Sequence, residues 1–153
     1  MKKIISLVMV GMLSIGIVGC SEKEDYQNLQ VQEQNINDNS EIKEDLKFYL
    51  EMCEELSNVA TYLDETNDKE GAYADFKNVL RQLRNYDNCI ETVEVKSDMM
   101  NATISAMEMI NCMYKLDVCG VEKALSDFET YTQKYVNEYN RLKEEYSIST
   151  EEF

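Results

Sequence analysis

Five cysteines and thirty carboxylates are the most chemically capable side chains of this 153-residue chain, and no histidine accompanies them. That absence removes the Ser-His and Cys-His nucleophile pairs, the commonest general base, and the usual zinc and di-iron ligand sets. The cysteines beyond Cys20 are Cys53, Cys89, Cys112 and Cys119, and no two have the CxxC spacing of zinc and redox motifs. Cys53 with Cys89 is the better candidate for a disulfide. Cys112 with Cys119 could bridge only if the third helix ended early, near Met113, because seven intact helical residues hold their Cα atoms ~10 Å apart. The competing reading makes all four small apolar groups with inert thiols. No catalytic residue, metal ligand or cofactor is expected.

The acidic stretch Asp64-Glu65-Thr66-Asn67-Asp68-Lys69-Glu70-Gly71 gathers oxygen ligands between two helical patterns. It fails as an EF-hand loop, since Lys69 stands where glycine is needed and the shorter Asp75 where a bidentate Glu is needed. It reads as a polar turn. Glu51, Glu54 and Glu55 lie opposite the apolar seam of their helix and read as a solvated face. With 15 basic residues against 30 acidic ones, the chain repels phosphate polymers, which sets nucleic-acid binding aside. Recognition of a partner has better candidates. Tyr131, Tyr135 and Tyr139 recur at every fourth position beside the seam of the last helix, and tyrosine suits interfaces because it joins contact area to a polar tip; the competing reading makes them half-buried rings with wet hydroxyls. Met99, Met100, Met107, Met109 and Met113 gather in the third helix, either as core filler or as an adaptable lining for an apolar ligand. Lys77, Arg81 and Arg84 of the second helix are expected to pair with the acid-rich first helix.

The first twenty residues, MKKIISLVMVGMLSIGIVGC, set Lys2 and Lys3 before an apolar run from Ile4 to Val18. That run is too short to cross a ~30 Å hydrocarbon core at ~1.5 Å per residue, and its flanks are those of a secretory signal. Ile17-Val18-Gly19-Cys20 resembles the lipobox of bacterial lipoprotein precursors. The resemblance covers residues 1–20 and implies cleavage between Gly19 and Cys20, with a diacylglycerol, palmitate-type anchor on the Cys20 thiol. Two acyl chains on one residue meet the double signal that stable anchoring requires. The implied location is the extracytoplasmic side of a cell membrane, with the lipid as membrane partner. Loss of Lys2 and Lys3 with the signal leaves 13 basic and 30 acidic residues, a net charge of -17. Such charge argues against the body lying flat on anionic lipid.

Behind the anchor, residues 20–39 hold the lipidated Cys and an acidic, amide-rich segment with too few apolar side chains to offset chain entropy. They are expected to form a tether, whose 19 residues from Ser21 span about 24 Å as a random coil. The body has no proline, and of its glycines only Gly71 and Gly120 lie beyond the signal, both between helical patterns. The spacing predicts helices over 40–67, 72–85, 98–118 and 121–146, with residues 89–96 as a connection, or with the third helix starting as early as Thr92, and the two glycines as left-handed helix ends. The first helix repeats Ile42, Leu46, Tyr49, Cys53, Leu56, Ala60 and Leu63 at alternating intervals of four and three, the seam of a packed helix. The expected fold is all-α, an antiparallel up-and-down four-helix bundle over 40–146 with 147–153 as a tail, or a three-helix bundle with a peripheral second helix. The expected function is a non-enzymatic, membrane-tethered protein-binding module. The alternatives are a receptor for a small apolar ligand in the bundle core and an immunity or exclusion lipoprotein.

Overall fold

The computed structural model describes residues 39–149. The signal, the cleavage pair Gly19 and Cys20, the tether through residue 38 and residues 150–153 lie outside the described residues. The chain forms α1 (Asn39–Thr66), α2 (Lys69–Asn85), a 3-10 turn (Ile90–Thr92), α3 (Val93–Lys115) and α4 (Val118–Glu145). Successive helices run antiparallel, and the side-chain amide of Asn39 donates to the Tyr146 carbonyl at 3.5 Å, so α1 begins where α4 ends. This is the up-and-down four-helix bundle. The three-helix alternative is excluded, because α2 packs between α1 and α3 and buries Ala72, Phe76, Val79 and Leu83.

The same two-residue turn is used twice at one end of the bundle. Asn67 (φ 54°) leads α1 into α2, and Leu116 (φ 55°) leads α3 into α4. The next residue, Asp68 or Asp117, is an N-cap whose carboxylate accepts from the backbone N–H of Gly71 or Gly120, at 3.0 Å in each case. The glycines are therefore not left-handed helix ends. Both have negative φ inside the following helix, and they are needed because the capping carboxylate occupies the space beside them. A Cβ on Gly120 would stand 2.5 Å from Asp117 Oδ2 and 2.6 Å from Cys112 Sγ. As a result α2 and α4 each start three residues earlier than the glycine-based reading placed them, and α3 stops at Lys115 rather than Val118.

The expected connection over 89–96 is mostly helical, since α3 starts at Val93. Val95 is fully buried there, and that burial outweighs the weak helix propensity of a β-branched residue. Ala102, Ser105 and Ala106 on α3 are small and buried, which lets α4 approach more closely than any other helix pair approaches. Helices α1 and α4 stay further apart, and large rings fill the gap. The C-terminal tail also begins later than expected. After Ser147 in the left-handed region, Ile148 returns its N–H to the Lys143 carbonyl at 2.9 Å and buries its side chain in the core. Among the described residues no helix is long and apolar enough to cross a membrane.

Candidate interaction surface and buried polar seam

The tyrosine ladder is not a surface. Tyr135 and Tyr139 are each 1% exposed, and Tyr131 is half-buried with the Lys134 ammonium 5.3 Å from its ring centroid. The physical reason is rotation. A four-residue step turns a helix by 400°, so the ladder slants ~40° per step, entering the core at Tyr135 from an edge position at Tyr131. The Tyr135 and Tyr139 rings bridge the wide α1–α4 gap, where both approach Cys53. The hydroxyls of Tyr135, Tyr139 and Thr132 are buried without a hydrogen-bond partner, and so is that of Tyr49, which lies nearer Thr92 and Asp45. Desolvation raises the phenol of each of these tyrosines and pushes the Cys53 thiol up to about 12. The seam holds neutral groups and no nucleophile.

Cys53 and Cys89 do not form the candidate bridge, and all four described cysteines are free thiols. The Cys89 N–H donates to Asp45 Oδ2 at 2.9 Å, which sets Cys89 level with a residue eight positions, or ~12 Å, before Cys53 along α1. Asp45 explains that placement. Its carboxylate is 4% exposed and accepts from the Tyr86 hydroxyl at 2.9 Å and from the Thr92 hydroxyl as well as from Cys89. Phe48 stacks on Tyr86 at 3.7 Å. One buried acid thus fastens the α2–α3 connection to α1, with three donors stabilising its charge. Burial first, and the Asp45 carboxylate second, pushes the Cys89 thiol up to about 11. Because α3 runs on to Lys115, the early helix end that Cys112–Cys119 pairing needed is also missing.

The methionines divide. Met99 and Met109 are buried, whereas Met100, Met107 and Met113 are half-buried. Two hollows on the described surface are open to solvent. One, of about 340 Å³, follows the outer face of α2 beside Lys77, Arg81 and Arg84. The other, of about 250 Å³, lies between α3 and α4 near Cys112 and Gly120. The expected ion pairs between α2 and α1 do not form among the described residues. Gln82, not a cation, reaches across to Glu55, with its amide donating at 2.8 Å, while Arg81 turns to Asn78 on its own helix. Arg141 does pair with Glu138 and Glu145, within α4.

Large exposed apolar residues gather at two places, the α2–α3 connection, where Ile90 is 83% and Val93 49% exposed, and the α3–α4 turn. Leu116 is 87% exposed, Val118 68% and Tyr114 57%. Periodicity places Leu116 on the buried stripe of α3, together with Met109 and Met113. The left-handed turn ends the helix just before it and swings it into solvent. A non-glycine residue in that region costs about 1–2 kcal/mol, and asparagine, which stands at the matching position of the first turn, is better tolerated. Leu116 therefore sits in an unfavourable conformation with an unfavourable exposure. The signal available in sequence was the paired pattern Asn67-Asp68-x-x-Gly71 and Leu116-Asp117-x-x-Gly120. No protein-family model, curated protein or solved structure matches the chain.

Proposed function

We propose that the chain is a lipid-anchored, non-enzymatic binding module on the extracytoplasmic face of a cell membrane, which presents the far end of its bundle to another macromolecule. The lipobox-like Ile17-Val18-Gly19-Cys20 supports the anchor. The tether joins the body at Asn39, at the end that holds Tyr146. The Leu116 turn is at the opposite end, roughly 40 Å away along the 28 residues of α1. The observation that carries the reading is the exposed apolar cluster Tyr114, Leu116 and Val118 at that distal end, since exposed apolar patches on small domains are commonly contact sites. A ligand receptor has less support, because Met99 is packed into the core and the two hollows, beside α2 and between α3 and α4, are open to solvent.

The anchor is tested in cells fed radiolabelled palmitate. Wild-type chain should carry label and run at mature size, and Cys20→Ser should accumulate as unlabelled precursor. Label on the Cys20→Ser chain would sink the lipoprotein assignment.

A further inference from the structure

We infer that the α3–α4 turn is a docking knob for a basic protein that offers a preformed apolar pocket with a cationic rim. The inference rests on the binding-module reading and names the surface and the partner chemistry within it. Two turns of one geometry share the distal end of the bundle. In the first, the left-handed position is Asn67, a residue suited to it. In the second, it is Leu116, whose side chain is 87% exposed. Neither folding nor solubility favours leucine there, so a contact made outside the chain is what its presence serves. Tyr114 and Val118 flank it, at 57% and 68% exposure.

The area argues for a pocket rather than a second copy. These three side chains expose on the order of 350 Å², the size of a large patch on an ordinary monomer. Two such tips together fall well short of the ~1,600 Å² of a standard stable interface. A protruding leucine between two flanking side chains instead suits a hot-spot anchor entering a concave site. Charge sets the rest of the partner's character. The two turns at this end together carry Asp64, Glu65, Asp68, Glu70 and Asp117 against Lys69 and Lys115, and the mature chain has a net charge of -17. A partner approaching this end meets a negative field, which repels acidic surfaces and speeds the arrival of basic ones. The membrane that holds the anchor is at the other end of the bundle.

The test is photocrosslinking in the source cells, with p-benzoylphenylalanine placed in the otherwise intact chain at position 116, 77 or 51. The knob is supported if position 116 yields an adduct with a protein of isoelectric point above 7, positions 77 and 51 do not, and the adduct falls at least tenfold in a Glu65→Gln, Glu70→Gln chain. An adduct of twice the chain's mass assigns the tip to a second copy, and a lipid adduct assigns it to a bilayer; either overturns the proposal. Protein adducts from 77 or 51 but not from 116 overturn the knob while leaving the binding module standing. No adduct at any position removes both. In parallel, Leu116→Asn should raise the melting temperature by about 4 °C or more, since it relieves the turn. A fall in that temperature would show that Leu116 serves folding and overturn the inference.

Discussion

Removing a single oxygen from the core should stabilise this protein. Tyr135 is 1% exposed, and its hydroxyl lies beside Cys53 and Thr132 without meeting hydrogen-bond geometry with either. An unsatisfied buried hydroxyl costs about 1–3 kcal/mol relative to its hydrated state, and Tyr135→Phe keeps the ring while deleting that cost. The expected gain is about 1 kcal/mol or more, reduced slightly by the small void left behind. For a bundle of this size that is a rise of about 4–8 °C in melting temperature per kcal/mol. Tyr139→Phe should act alike, since its hydroxyl is also orphaned. Tyr135→Ala runs in the opposite direction, with a loss of about 3–5 kcal/mol, because a cavity opens between α1 and α4. The assay is urea denaturation followed by circular dichroism on the three variants. Destabilisation of Tyr135→Phe by 1 kcal/mol or more would refute the reasoning and show that the hydroxyl has a partner, such as a buried water, in the α1–α4 seam.

Four further outcomes follow from the same geometry. Asp45→Ala should cost about 3 kcal/mol or more, since it strands the Tyr86, Thr92 and Cys89 donors at once; an unchanged urea midpoint would dismiss Asp45 as the fastening of the α2–α3 connection. Gly120→Ala should lower the melting temperature although alanine is the better helix former, because its Cβ collides with Asp117 and Cys112; the loss should shrink in a Cys112→Ala background, and equal losses in both backgrounds would clear Cys112 of the clash. The thiols should separate by burial, with exposed Cys119 reacting promptly with a disulfide reagent at pH 8 and Cys53 staying silent until the chain unfolds. The same burial makes stability pH-dependent. An unfolded Cys53 thiol ionises near pH 9.0 and the folded one near 12, so its stabilising share is intact below pH 9 and drains by up to ~1.4 kcal/mol per unit above it. Urea midpoints that hold flat from pH 9 to 11 would count against that burial, and Cys53→Val should lessen the slope.

The amino-acid sequence by itself determined the helical class and much of the core. With no proline and two glycines in the body, and with Ile42, Leu46, Tyr49, Cys53 and Leu56 repeating at helical intervals, little besides packed helices could bury those side chains. Each of those five is buried in the bundle. Periodicity fixes the angle of a residue around its own helix, which is local information, but it does not say where the helix stops or how far the next one stands away. Leu116 continued the buried stripe of α3 until the left-handed turn ended the helix one residue earlier, and that turn forms because Asp117 caps α4 and Gly120 leaves room for it. Tyr135 and Tyr139 are interior because α1 and α4 stand far enough apart to need rings between them, a spacing set by the small residues that draw α4 toward α3. Cys89 missed Cys53 because a buried carboxylate eight positions away captured its backbone. Helix length, helix separation and the level of a connection are settled by contacts between residues distant in sequence, and those contacts exist only once all four helices are in place.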